Sequence, residues 1–158
     1  MKKKSLSECD AEADRAIRVM VGALVGGAVV PVAINWAIAA AAYGSGAVAI
    51  GKAYGVTMSD DEGWKLVKQF FLAAGFGFLS LNIGAKVIAC IAQATGIGYF
   101  GGAVIDAAIS GAAAYAIGGC AKAYFRQDYL GKKNKLSKEE LGRIFRDEFN
   151  KHKNDKRN

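Results

Sequence analysis

The sequence is poor in the residues that build most active centres. Its 158 residues include one His, one Pro and three Cys. His152 stands alone in a basic tail, where it is expected on the surface, and no imidazole pair is available for catalysis or metal binding. Cys9, Cys90 and Cys120 are too few and too widely spaced for a disulfide framework or a zinc cluster, and three unpaired thiols suit a reducing compartment. Cys90 and Cys120 are expected as small core residues. A single Pro, with no three-residue glycine period, excludes a collagen-like chain. Clean alternation of apolar and polar residues is also missing, so nothing reads as a sheet. Charge is absent over a long stretch: residues 19–51 contain no Asp, Glu, Lys or Arg, a run of 33.

Small apolar residues fill the space. There are 29 Ala and 20 Gly, and 53% of the chain is hydrophobic, which rules out a disordered polypeptide. The length suits one domain with a single core. The charge is partitioned. Residues 1–18 carry five basic and four acidic side chains, residues 19–121 carry four of each, and residues 122–158 carry twelve basic and six acidic. The net +7 is therefore almost wholly a property of the C-terminal end. Such a tail suits an anionic partner, with Lys132, Lys133 and Lys135 as contacts for a lipid surface, or serves simply as a solvated end. Aromatic and basic residues do not interleave on a strand pattern, so no nucleic-acid platform is expected.

Turn signals divide the chain into helices. The first is expected from 7 to about 28. Pro31 is placed to open a second, from about 32 to 54, which Gly44-Ser45-Gly46 would bend or split. Ser59-Asp60-Asp61-Glu62 is a capping box opening a third helix that runs to about 78. A fourth is expected at 81–94 and a fifth at 99–126, separated by Thr95-Gly96-Ile97-Gly98. Ser137 and Glu140 form a second capping box, with Leu136 and Leu141 placed for a hydrophobic staple. Leu141, Ile144, Phe145 and Phe149 then make one apolar stripe, opposite a charged face. The fold class is all-α: a compact Ala/Gly-rich bundle of about five to six helices with apolar hairpins and an amphipathic last helix. Residues 1–126 form the apolar core, and residues 127–158 a basic linker and the last helix, within one domain overall.

The neutral run would measure about 50 Å as one helix, against a hydrocarbon core of about 30 Å. Residues 20–38 average roughly +1.9 in mean hydropathy, within the range of spanning helices. Two shorter neutral runs follow at 69–85 and 87–105. Ala and Gly contribute little transfer energy, so a close-packed bundle in water is the alternative. Asn35, Asn82, Gln93 and Asp106 would each need a partner in lipid. A membrane-spanning chain would keep both basic ends in the cytoplasm, which requires an even number of crossings. The acids Glu8, Asp10, Glu12 and Asp14 argue against a signal peptide.

Two glycine motifs imitate nucleotide sites. Gly96-Ile97-Gly98-Tyr99-Phe100-Gly101 has the letters of a dinucleotide fingerprint but lacks a preceding strand and an acid at the required distance. Gly46 to Lys52 resembles a phosphate loop, but Ala53 stands where Ser or Thr should hold magnesium. No cofactor and no enzymatic activity are expected. Small residues at Gly22 and Gly26, and along the row Ala108, Ala112, Ala116 and Cys120, suit close helix packing, within one chain or against a second copy. Gly22, Gly26, Pro31, Gly96, Gly98, Ala112 and Ala116 are thus architectural candidates. Asp106, alone in an apolar stretch, is a candidate partner for Lys86, a mark of a polar pathway, or an exposed or capped acid.

The order of these features resembles a known family. Ala16-Ile17-Arg18-Val19-Met20-Val21-Gly22-Ala23, Val30-Pro31-Val32-Ala33, Ala53-Tyr54-Gly55-Val56, Gly96-Ile97-Gly98-Tyr99, Ala114-Tyr115-Ala116-Ile117-Gly118 and Tyr124-Phe125 follow one another as in the YcjF-like, GTPase-associated helical domain called domain of unknown function 697. The resemblance covers residues 13 to 150. It implies a cytoplasm-facing membrane module working with a small GTPase, here a separate polypeptide because the chain holds no GTPase domain. The family tends to show Pro-x-Pro with an Asp soon after; here Pro31 stands alone and Asn35 occupies the Asp position. Three functions follow as expectations: a non-enzymatic membrane-associated module, a soluble helical adaptor, and a membrane-perturbing protein that would leak dye from liposomes.

Overall fold

A computed structural model describes residues 4–26, 32–75, 103–132 and 136–153. Among them are five helices and no strand: α1 (Leu6–Gly26), α2 (Val32–Ala53), α3 (Asp60–Ala73), α4 (Ala103–Tyr129) and α5 (Lys138–Lys153). The all-α expectation holds. The expected helix at 81–94 lies outside the described residues.

Helix starts follow side-chain chemistry. At α3 the Ser59 amide donates to Glu62 Oε2 (2.7 Å), and the Glu62 amide donates to Ser59 Oγ (3.3 Å). At α5 the Ser137 amide donates to Glu140 Oε2 (2.8 Å), and the Glu140 amide returns to Ser137 Oγ (3.1 Å). The same arrangement opens α1, where the Ser5 amide donates to Glu8 Oε2 (2.6 Å) and the Glu8 amide to Ser5 Oγ (3.3 Å). Each box satisfies amides that the first helical turn leaves free.

The amide bonds from Ser5 and Ser59 hold Glu8 and Glu62 below the usual carboxylate range. A depressed folded value means that the contribution is complete above the unfolded value and is lost as pH falls through the folded one. Ser59→Ala is expected to lower stability by about 1 kcal/mol at neutral pH. Thermal unfolding at pH 7 and pH 3 checks this: the gap between variant and wild type should narrow at the lower pH by the bond that the Ser59 hydroxyl gives to the Glu62 carboxylate, and persist by the one it accepts from the Glu62 amide, which does not titrate.

Two expectations about helix ends are corrected. Gly44-Ser45-Gly46 neither splits nor ends α2, which runs unbroken from Val32 to Ala53. Those glycines are buried beneath neighbours instead: Gly44 faces Trp64 and the Asp60 carbonyl of α3, and Gly46 faces the Met20 side chain. Packing here outweighs glycine's low helix propensity. Helix α3 stops at Ala73, short of 78, and Gly75 follows at φ 92°, a conformation that favours glycine.

Helices α1 and α4 run antiparallel. Ile17 lies over Gly118, Asp14 meets Lys122, and Asp10 meets Arg126. Helix α2 is antiparallel to α1, with Met20 beside Gly46 and Asp10 bonded to Tyr54. The core collects Ile17, Met20, Ile50, Phe70, Ile117 and Phe125, all buried. Helix α5 closes it with buried Leu141, Phe145 and Phe149, so the last helix docks on the chain's own body. Helix α4 continues to Tyr129, carrying its last turn past residue 126.

Candidate functional site

The antiparallel register sorts polar from apolar along the bundle. On α1 every charged residue lies at or before Arg18; on α2 Lys52 is the one charge; on α4 Lys122, Arg126 and Asp128 occupy the last turns. These stretches fall at one end. They form a clasp. The Tyr54 hydroxyl donates to Asp10 Oδ1 at 2.5 Å, and Arg126 Nε lies 3.5 Å from Asp10 Oδ2. Lys122 Nζ donates to Asp14 Oδ1 at 2.6 Å. The Tyr129 hydroxyl donates to the Lys4 carbonyl, while Lys4 Nζ bonds both oxygens of Glu12 at 2.8 and 2.6 Å. Tyr54 and Tyr129 pack edge to face, with ring centroids 6.2 Å apart. Burial, with the bond to Asp10, raises the Tyr54 phenol above its ordinary value and keeps it neutral. Half-exposed ion pairs contribute little stability each, so the clasp chiefly fixes the register. It also sets acids at the N-terminus of α1 and cations at the C-terminal ends of α2 and α4, which suits all three helix dipoles.

On these three helices the other end is nearly free of charge in sequence, while α5, antiparallel to α4, sets Glu148 beside Gly119 and His152 on Tyr115. Residues 19–26 of α1, the first 20 residues of α2 and residues 103–121 of α4 hold a single charged residue, Asp106. Val25 is 40% exposed there.

An open groove of about 510 Å³ runs between α1 and α2 from the charged end toward the apolar one. Val19, 68% exposed, stands on its α1 wall. Arg15, Lys52, and the Lys4–Glu12 pair line its charged end.

The comparisons with known proteins bear on this arrangement. The family described as Domain of unknown function (DUF697) matches residues 1–153. The chain belongs to that family. No curated protein and no solved structure matches it. Membership agrees with the resemblance read from the sequence and assigns no activity.

The expected site residues fare differently. Ala112 and Ala116 are buried on α4 and Cys120 continues their row, so that face packs closely. Gly22 does not: it is exposed, and a methyl group there would meet nothing within 4 Å among the described residues. Gly26 is the last residue of α1. Pro31, Lys86, Gly96, Gly98, Lys133 and Lys135 lie outside the described residues, so the Lys86–Asp106 pairing lies outside them too. Lys132 is exposed just beyond α4. His152 is not a plain surface residue: its ring stacks on Tyr115 at 3.8 Å, and Nε2 lies 3.5 Å from Glu148 Oε2. Among the described residues no helix is long and apolar enough to cross a membrane, and no group of His, Cys, Asp and Glu could hold a metal ion. The long helices α1 and α4 carry charges toward one end, which limits their apolar length.

Cys120 is fully buried, its thiol donating to the Leu141 carbonyl at 3.5 Å, and burial pushes its pKa up to about 12. Burial also raises that of Cys9. A thiol is nucleophilic only as thiolate. At pH 8 the native chain is therefore expected to expose at most one reactive thiol to an aromatic disulfide reagent, and all three after denaturation. Rapid reaction of two thiols in the native state would contradict the burial.

The clasp was not anticipated from the sequence, although a signal for it exists. Asp10 and Asp14 are spaced i, i+4, and so are Lys122 and Arg126. Opposite charges at equal spacing on two helices of one bundle match when the helices run antiparallel.

Proposed function

We propose that this chain is a non-enzymatic helical module that docks on a membrane surface by its apolar end and works there with a separate small GTPase. The observation that carries the membrane half is the axial sorting of charge: three helices converge with their charged stretches at one end and neutral stretches at the other. An apolar end set against a charged one suits shallow insertion, which needs no spanning helix. The GTPase half rests on the resemblance to GTPase-associated members of the family.

Cell fractionation tests the reading. The chain is expected in the membrane pellet at neutral pH and in the supernatant after alkaline carbonate. A chain found wholly in the supernatant at neutral pH would sink the docking. Pull-downs loaded with GDP or a GTP analogue test the partner, and capture of no GTPase in either state would remove it.

A second reading, a helical adaptor working away from the bilayer, is favoured by one observation. The amphipathic α5 spends Leu141, Phe145 and Phe149 on the chain's own core, so that face is not available to lipid. Supernatant behaviour together with capture of a helical partner would select it.

A further inference from the structure

We propose that the groove between α1 and α2 seats one acyl chain of an anionic phospholipid, with the phosphate held between Arg15 and Lys52. The inference rests on the membrane-docking reading and specifies the lipid chemistry.

The floor is apolar: Ala16, Met20 and Ala23 come from α1, and Ala42, Gly46 and Ala49 from α2. The one hydroxyl on it, Ser45, donates to the carbonyl of Ala42 in its own helix at 3.4 Å and makes no demand on a ligand. From Arg15 to Ala23 the α1 wall measures about 12 Å at helical rise, enough for much of one acyl chain. The volume of about 510 Å³ falls within the span of sites that take small ligands.

Charge selects the ligand and its direction. Four charged residues line the groove: Lys4, Glu12, Arg15 and Lys52. Lys4 and Glu12 neutralise each other at 2.6 Å. Arg15 and Lys52 are exposed and have no ion-pair partner among the described residues. An Arg and a Lys lining the same end of one groove suit a phosphate, which the guanidinium meets with two parallel donors and the ammonium as a point charge. Both sit at the charged end, and the groove runs from them into Ala23 and Ala42 toward the apolar end. A partner helix with acidic flanks would call for cations along both rims; cations gathered at one end of an apolar channel match an amphiphile with its anion at one end. The lipid's tail would then point the same way as the end that faces the bilayer.

The test uses the purified full chain and monomeric lysophosphatidylglycerol, followed by titration calorimetry and native mass spectrometry. Lysophosphatidylcholine serves as the zwitterionic comparison. Wild type is expected to take up one molecule of the anionic lipid and to bind the zwitterionic one at least tenfold more weakly. Arg15→Gln with Lys52→Gln should weaken the anionic lipid tenfold or more. Ala49→Trp, on an exposed position that can accept the ring without disturbing the core, should block uptake with both cations intact. Circular dichroism establishes that each variant is folded, and Lys65→Gln, exposed on α3 and away from the groove, should bind like wild type. Unchanged affinity in both groove variants overturns the proposal, as does equal affinity for the two lipids. Tight binding of an acidic amphipathic peptide with no lipid uptake would assign the groove to a helix and also overturn it. Flotation of wild type with vesicles but no uptake of monomer sinks the groove seat and leaves docking intact; uptake without flotation does the reverse.

Discussion

Phe145→Ala is expected to destabilise the protein by roughly 3–5 kcal/mol, the range for truncating a fully buried Phe. Phe145 is 1% exposed and links α5 to the rest of the core. Its ring lies 5.8 Å from that of Phe71 on α3 and 6.3 Å from that of Phe149 on its own helix, where the two are stacked. Helix α5 is charged over its outer face and holds its place with Leu141, Phe145 and Phe149, which are buried, and Ile144, which is partly so. The cavity cannot collapse easily, because the backbones are already close: a Cβ at Gly142 would run into the Ala73 carbonyl, and one at Gly119 would lie 2.8 Å from Glu148 Cγ. Denaturant unfolding measures the loss. A change under about 1 kcal/mol would mean that α5 is not part of the cooperative core.

Ala substitutions at two helical glycines are expected to act in opposite directions. Gly63 of α3 crosses Gly44 of α2, and a Cβ there would stand 2.5 Å from the Gly44 carbonyl oxygen and 2.8 Å from Val48 Cγ2. A carbonyl oxygen in a helix cannot move aside as a side-chain end can, so α3 would have to lift from α2. Overpacking of this kind costs about 1–3 kcal/mol, which exceeds the gain of at most about 1 kcal/mol in helix propensity. Gly63→Ala should therefore lower the melting temperature. Gly22→Ala adds a methyl group into open space on α1 and should raise it by the propensity gain alone. Thermal unfolding of the two variants side by side checks the α2–α3 crossing; equal shifts of the same sign would contradict it.

The pair also shows where the sequence was legible and where it was not. Capping boxes at Ser59 and Ser137 and the apolar stripe of α5 could be read because their partners lie within one or two helical turns. The close approach at Gly63 could not, since Gly63 differs from Gly22 only in what the tertiary fold brings beside it. Gly44-Ser45-Gly46 misled for the same reason: local propensity predicts a break, and packing on Met20 and Trp64 keeps the helix whole. His152 reads as solitary along the chain, yet the antiparallel return of α5 over α4 sets it on Tyr115. The candidate groove was still less visible. Its floor is mostly Ala and Gly in a chain rich in both, and Arg15 and Lys52 line one groove only when α1 and α2 are laid antiparallel.

Docking by the apolar end is tested most directly by flotation with vesicles of phosphatidylglycerol and phosphatidylcholine. Gly22 and Val25 are exposed on α1 near that end and do not line the groove. Wild type is expected to float with the vesicles, and Gly22→Asp with Val25→Asp to stay in the aqueous fraction while remaining folded and still taking up monomeric lysophosphatidylglycerol. Flotation of the double variant at the wild-type level, or failure of wild type to float at all, would contradict the account.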